Sequence, residues 1–286
     1  MLSGSLDRLS TRDNQKFMKI LFFGDVFGRP GREAVGKVLP MWQKKYQPDF
    51  VGMNAENLAH GKGATSKTIE EMMDLGFDFF TGGNHIFENQ EAAEVLGNKN
   101  FPLVRPFNCI NNCLGFGWRK IEKNEKQLVV ACLMGQVFIN NVENISNPFF
   151  AAQDLLLEIQ RTGLEKSAAL FDFHAEATSE KVGMSYFLDG KVSVLVGTHT
   201  HVQTADERVS SLGMAYISDV GMCGIKNSVI GLDTEVALNR FLNKEENLGF
   251  KMAEDGEARV NAVLIEVDEN DAKSKKITRL QENVLL

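Results

Sequence analysis

The chain is predicted to be an α/β protein, a two-sheet αββα sandwich in a single domain. Three observations predict this. Short apolar runs alternate with amphipathic helical stretches along the N-terminal third. A hairpin pattern then breaks the alternation and a second β-rich half follows. At 286 residues, 43% hydrophobic and 24% charged, the chain can build one substantial core, and neither repeats nor a long linker divide it.

The elements follow in order. Lys19–Phe23 is an apolar run of strand length, and a helix from about Arg29 to Tyr46 succeeds it. Phe50–Met53 is a second strand, with a helix near Ser66–Leu75. Phe77–Thr81 is a third, with a helix around Glu88–Leu96. After Leu103-Val104-Arg105-Pro106 the pattern changes. Trp118–Ile121 and Gln127–Leu133 flank Lys123-Asn124-Glu125-Lys126 as an antiparallel hairpin. A helix over Pro148–Thr162 leads to the strands Ala168–Phe173, Val192–Val196 and Met214–Ile217. Asp233–Leu242 is helical, and Arg259–Val267 with Ile277–Val284 closes the chain as a hairpin.

The composition excludes several classes. A formal charge of −7 argues against a face built for long duplex nucleic acid, but not against a small anionic substrate in a local positive site. Apolar runs such as Leu128–Met134 are too short to span a bilayer. Met1–Phe17 lacks the apolar core of a secretory signal. It is expected to be a mobile extension, or sequence upstream of a start at Met18, with the domain over 18–286 in the cytoplasm. Cys109, Cys113, Cys132 and Cys223 lack paired zinc spacing and are expected to be reduced core or loop residues.

Five apolar runs end in residues of metal-binding type: Gly24-Asp25, Asn54-Ala55-Glu56-Asn57, Gly83-Asn84-His85, Asp172-Phe173-His174 and Gly197-Thr198-His199-Thr200-His201. Singly each has a plainer reading. Gly-Asp is a turn, Glu56-Asn57 a helix cap, Gly82-Gly83-Asn84 a turn with Asn in a left-handed conformation, and His174 a core histidine. Jointly they collect four of the five histidines at strand ends, and His60 lies four residues after Glu56. Carboxyl ends of strands in an α/β sheet converge, so a metal site is expected there. If extended backbone persists past Val196, His199 and His201 project to the same side.

The ligand types narrow the metal. Imidazole, carboxylate and amide oxygen without thiolate suit Mn, Fe, Co, Ni or Zn rather than structural zinc. The groups are too many for one ion and suit two that share a bridging carboxylate, an arrangement for phosphate-ester hydrolysis. Asp25, Glu56 and a bridging hydroxide would leave two divalent ions with a net positive charge, which neutral Asn57 and Asn84 preserve. Such a centre favours a phosphodiester anion. Two glycine patterns carry nothing. Gly24-x3-Gly28-x2-Gly31 is not the dinucleotide spacing, and His60-Gly61-Lys62-Gly63 lacks the leading Gly and the Ser/Thr of a phosphate loop.

Gly83-Asn84-His85 and Gly197-Thr198-His199-Thr200-His201 together resemble signatures of the calcineurin-like metallophosphoesterases. The likeness is closer to the bacterial YmdB-type 2′,3′-cyclic-nucleotide 2′-phosphodiesterases. It rests also on Gly24-Asp25-Val26 with Gly28-x-Pro30-Gly31-Arg32, Asn54-Ala55-Glu56-Asn57 with Ala59-His60-Gly61-Lys62-Gly63, and Leu103-Val104-Arg105-Pro106. The blocks Asp172–Lys181, Val196–Asp206 and Ser218–Met222 add to it, and the resemblance runs from Met18 nearly to the C-terminus.

The resemblance implies a dinuclear site, usually iron, with Mn or another divalent transition metal as alternatives. Asp25, Glu56, Asn57 and His201 would hold one ion; Glu56, Asn84, His174 and His199 would hold the other. A bridging hydroxide would attack phosphorus in line. His85, not a ligand, would protonate the leaving 2′ oxygen and release a 3′-nucleotide. The substrate would be a small phosphodiester such as a 2′,3′-cyclic nucleotide, and the resemblance leaves room for a homo-oligomer.

Two segments depart from the pattern. Ile86-Phe87-Glu88 stands where Thr-Trp-Asp is common, and Cys223-Gly224-Ile225-Lys226-Asn227 where Thr-Gly-Pro-Tyr is usual. Neither touches an expected ligand, and both bear on nucleotide preference. Arg29, Arg32 and Arg105 are open between substrate phosphate and salt bridges. No substrate-binding residue is assigned. The competing readings are a phosphomonoesterase or RNA phosphodiesterase with the same centre, and a metal-dependent regulatory binding protein with incidental hydrolysis. A redox di-iron protein fits less well, because two amide ligands make the site richer in neutral donors than carboxylate-bridged bundles.

Overall fold

Two mixed sheets pack face to face in the computed structural model, which describes residues 16–111, 113–139, 144–242 and 249–286. The first half runs β1 (Phe17–Val26), α1 (Gly28–Tyr46), β2 (Phe50–Asn54), α2 (Ser66–Asp74), β3 (Phe79–Thr81), α3 (Ala92–Gly97), β4 (Leu103–Val104), β5 (Trp118–Lys123) and β6 (Lys126–Met134). The second runs α4 (Pro148–Arg161), β7 (Ala168–His174), α5 (Thr178–Leu188), β8 (Val194–Thr198), β9 (Arg208–Val209), β10 (Ala215–Ile217), β11 (Met222–Ile225), α6 (Thr234–Leu242), β12 (Glu257–Asp268) and β13 (Ser274–Leu285).

One sheet has the order β13-β12-β11-β1-β2-β3-β4 and the other β5-β6-β7-β8-β10-β9. In β1 the period-two alternation sends Ile20 and Phe22 into the core between the sheets, with Val130, Leu170 and Val196 of the other sheet. Leu21 and Phe23 face the opposite way, onto Val35, Val38 and Trp42 of α1. Leu155 and Ile159 of α4 cover the outer face of the second sheet with Met184 and Leu188 of α5. Helices therefore cover both outer faces, and the expected αββα layering is present.

The expected hairpin is β5–β6, antiparallel throughout. Its two turn residues, Asn124 and Glu125, have φ of 50° and 63°, the positive values a two-residue hairpin turn demands. Asn147 caps α4, accepting from the N–H groups of Phe149 and Phe150, and Pro148 follows at the first helical position. The closing hairpin is β12–β13.

Some elements differ from expectation. The helix expected over Glu88–Leu96 is a 3₁₀ turn at His85–Phe87 followed by the short α3, because the Asn89 side chain accepts from Glu91 N–H and forms a local turn. α5 escapes the sequence pattern because its buried residues mix Glu180, Lys181 and Ser185 with Met184 and Leu188. Most of the extension expected over residues 1–17 lies outside the described residues, but Phe17 already belongs to β1, paired with Asp268. Among the described residues no helix is long and apolar enough to cross a membrane.

Cys132 and Cys223 are buried thiols, as expected. Cys109 and Cys113 correct the expectation of reduced cysteines, since they form a disulfide. Asn111 at φ 64° turns the chain between them and brings their Cα atoms to 6.2 Å, within reach of an S–S bond.

Candidate metal centre

Asp25 stands just past an irregularity in the β1–β2 register. Gly24 is required there, because a Cβ would overlap the Gly221 carbonyl oxygen. Asp25 N–H donates to that same oxygen at 3.1 Å. Its carboxylate is fully buried; Oδ2 accepts from His199 N–H at 3.3 Å, and Oδ1 has no hydrogen-bond partner. Such an orphaned oxygen is costly, and a cation beside it removes the cost.

Glu56 follows β2, its N–H held by Asn54 Oδ1 at 3.0 Å. Oε2 accepts from His85 N–H at 3.2 Å, and Oε1 lies 3.0 Å from His174 Nε2. Gly83 leaves the room for this carboxylate, since a Cβ there would overlap both Glu56 Oε2 and His174 Nε2.

His174 ends β7. The Thr198 hydroxyl donates to Asp172 Oδ1 at 2.7 Å, so it accepts the Nδ1 proton of His174 at 2.8 Å. Nε2 therefore faces the centre, 3.0 Å from Asn84 Oδ1 and 3.0 Å from His199 Nδ1. His201 is oriented alike. Its Nδ1–H donates to the Ile230 carbonyl at 2.9 Å, leaving Nε2 at 3.2 Å from Asn57 Oδ1 and 3.9 Å from Asp25 Oδ1. The Asn57 amide donates to Gly61 O at 2.9 Å and turns its own oxygen inward.

All seven expected ligand residues thus converge from both sheets. Two overlapping groups have ligand atoms within 4.8 Å of one another, Glu56–His174–His199 and Asp25–Glu56–His201, and Glu56 belongs to both. The donor set, the orphaned oxygen and the glycine cradle fit bound metal.

The His-x-His segment arrives differently than expected. Extended backbone stops at Thr198, and His199 and His201 adopt φ of 100° and 66°. A buried ion pair below holds this strained turn. Asp219 Oδ2 accepts from Lys181 Nζ at 2.7 Å, and from Thr200 N–H and Oγ1 at 3.0 and 2.7 Å. Sequence reasoning missed four supporting residues: Asp219, Lys181, Asp172 and Glu176, whose Oε2 lies 3.2 Å from His199 Nε2. Asp172 is buried among donors from Thr81, Asn54 and Thr198. All four lie in the quoted blocks Asp172–Lys181 and Ser218–Met222, which was the one signal available.

In the metal-free centre burial and mutual charge drive the ligand groups in opposite directions. Burial alone pushes the His174 imidazole down, but Glu56, Asp25 and Asp172 outweigh it and raise its pKa to about 9. Burial raises Asp25 as well. Burial also opposes ionisation of Glu56, but the histidines, chiefly His174, lower it to about 2. Burial, then cationic His174, lowers His199 to about 3.

A stability prediction follows for metal-free protein. His174 binds its proton more tightly folded than unfolded, so its contribution is complete below its unfolded value of 6.5 and disappears as pH rises through about 9. The loss is on the order of 3 kcal/mol, and the raised Asp25 acts in the same direction. The thermal midpoint of metal-free protein is expected to fall between pH 6.5 and 9, while metal-loaded protein changes little. A flat profile in scanning calorimetry of the metal-free form overturns this.

His85 lies outside both ligand groups, 27% exposed in its side chain, with Nδ1 at 2.9 Å from Glu88 Oε1. Glu88 also meets Lys62 Nζ at 3.1 Å. Although burial opposes it, these partners hold the Glu88 carboxyl below its ordinary range. Asn84, His85 and His199 border a cleft of about 670 Å³ that reaches the Cys109–Cys113 disulfide and Phe138. His60 is exposed, outside the ligand groups. Arg29 pairs with Glu33, Arg32 with Glu71 and the Leu58 carbonyl, and Arg105 with the carbonyls of Leu114, Pro106 and Phe107.

The sequence profile of the YmdB-like protein family matches residues 21–280. The chain belongs to that family. It is 40% identical over 266 residues to the 2′,3′-cyclic-nucleotide 2′-phosphodiesterase of Bacillus subtilis, covering 92% of this chain and 96% of the relative. The crystal structure of a novel phosphatase from Mycoplasma pneumoniae superposes with a TM-score of 0.85 at 34% identity, covering 94% of each chain. A protein of Thermus thermophilus superposes with a TM-score of 0.83 at 36% identity, over 93% of this chain and 99% of the other.

Proposed function

We propose that this chain is a dinuclear-metal phosphodiesterase that hydrolyses 2′,3′-cyclic nucleotides to 3′-nucleotides. The observation that carries the reading is the sharing of Glu56 between two ligand groups beside His85. Asp25, Glu56, Asn57 and His201 are assigned to one ion, and Glu56, Asn84, His174 and His199 to the other. The donor set suits iron, with manganese as the alternative. Bound metal supplies an activated water and neutralises phosphodiester charge.

The chain's own residues do the rest. Asp25 and Glu56 bring only two negative charges to the centre, and neutral Asn57 and Asn84 leave it positive toward an anion. Thr198 and the Ile230 carbonyl fix the histidine tautomers before substrate arrives. Glu88 holds the Nδ1 side of His85, so a proton given up toward the cleft leaves from Nε2. In the reaction water adds to phosphorus, the bond from phosphorus to O2′ breaks, and O2′ takes the His85 proton. The phosphate stays on O3′.

The test is reconstitution of metal-free protein with Fe(II) or Mn(II), followed by 2′,3′-cyclic AMP. Two equivalents of metal and 3′-AMP as product are expected. A loaded protein that leaves the cyclic nucleotide intact defeats the reading, and 2′-AMP as product defeats the assigned leaving oxygen.

A further inference from the structure

We infer that Phe138 is a nucleobase platform, stacking the base of a nucleotide whose phosphate lies at the metal end of the cleft. This rests on the proposed phosphodiesterase reading and adds a residue that sets substrate preference. The cleft supplies the first observation. Its volume of about 670 Å³ far exceeds the needs of a phosphate and a ribose, and it lies within the range of small-molecule sites. Asn84, His85 and His199, beside the ligand groups, share its lining with Ile110, Asn111 and Phe138, which belong to neither group.

Phe138 itself is the second observation. At 83% exposure it is the most exposed large apolar side chain among the described residues. Its φ is 64°, a conformation rare for a bulky residue. The flanking chain enforces this. Gln136 N–H and Val137 N–H donate to the Glu180 carboxylate at 3.0 and 3.3 Å, and Glu180 is itself buried. The Gln136 side chain donates to the Ile145 carbonyl at 2.7 Å, while Ile139 packs with Met134 and Ile145. A buried carboxylate and a small apolar cluster thus hold in place a turn whose tip is a bare aromatic ring. Strain kept by that much structure, around a ring left 83% exposed, points to a ligand.

Polarity in the same cleft fits a base. Asn111 Nδ2 donates to Asn144 Oδ1 at 3.0 Å, which among the described residues leaves the Asn111 side-chain carbonyl and the Asn144 side-chain NH₂ as an acceptor beside a donor. Stacking tolerates any base, because every base has a π face, and purines offer the larger one. The site should therefore accept all four 2′,3′-cyclic nucleotides and favour purines.

The experiment compares metal-loaded wild type, Phe138→Ala and Phe138→Tyr on 2′,3′-cyclic AMP, 2′,3′-cyclic CMP and base-free ribose 2,3-cyclic phosphate. Affinities for 3′-AMP and ribose 3-phosphate are measured by calorimetry alongside. In Phe138→Ala the kcat/KM preference for cyclic AMP over the base-free diester should fall about 10–100-fold, carried by KM. The preference for cyclic CMP should fall less, and Phe138→Tyr should retain both. An unchanged preference in Phe138→Ala overturns the platform while leaving the phosphodiesterase reading intact. If wild type turns over no cyclic nucleotide yet binds 3′-AMP through Phe138, the reaction fails and the platform stands. Loss of neither turnover nor 3′-AMP affinity in Phe138→Ala refutes it outright.

Discussion

His85→Ala is expected to lower kcat for 2′,3′-cyclic AMP by about 10²–10⁴-fold, the span of general-acid assistance, with two metals still bound. The reason lies in how His85 is attached. Its side chain meets Glu88 rather than any ligand atom, and only its backbone N–H touches Glu56. Alanine keeps that N–H, so the Glu56 carboxylate keeps its donor. Truncation removes the proton source and little else. Glu88→Gln gives a second reading of the same dyad. It retains a polar partner for Nδ1 but loses the charged one, so its rate loss should be smaller than that of His85→Ala. Metal analysis and turnover rates of both variants decide the matter. Undiminished turnover in His85→Ala removes His85 from the chemistry, and loss of metal reassigns it as a support for Glu56.

Much of the centre was legible because its ligands sit where apolar runs stop. Asp25, Glu56, Asn57, Asn84, His174, His199 and His201 are each within a few residues of a strand's carboxyl end, and strand ends of both sheets meet at one place. What was not legible depends on contacts distant in sequence. His199 and His201 were expected to point together as residues two apart in extended chain. They meet the centre through two positive-φ residues braced by Asp219 and Lys181, 38 residues apart. Asp172 looked like one letter of a motif, although it orients His174 through Thr198. α5 was invisible because its inward face mixes Glu180, Lys181 and Ser185 with Met184 and Leu188, and polar residues on a buried face erase the amphipathic signal. Cys109 and Cys113 read as reduced because nothing in their spacing announces a pair, whereas their Cα atoms lie 6.2 Å apart across a turn that includes Asn111 at φ 64°. Phe138 had no sequence signal at all, since its meaning lies in an exposure that only the fold creates.

Gly83→Ala is expected to reduce metal affinity by at least about 100-fold, beyond what loss of a single supporting contact costs. One methyl group does this because of where it lands. Its carbon would overlap Glu56 Oε2 and His174 Nε2 together, and neither neighbour can yield freely. Glu56 is tied by the His85 N–H and belongs to both ligand groups, so its displacement affects both ions at once. His174 is tied through Nδ1 to Thr198 and beyond it to Asp172. Gly83 does not have positive φ, so alanine meets no backbone penalty and the fold itself should survive. Overpacking is expected to cost about 1–3 kcal/mol, read as a lowered melting temperature of the metal-free protein. Gly82→Ala separates crowding in general from crowding of the ligands, because the atoms nearest its Cβ belong to the Ile86 side chain, from 3.1 Å. That variant should be destabilised yet bind metal normally. Titration of metal-free wild type and both variants with Mn(II), followed by paramagnetic resonance, makes the comparison. Wild-type stoichiometry and affinity in Gly83→Ala would mean that Glu56 and His174 are not the groups that hold the metal.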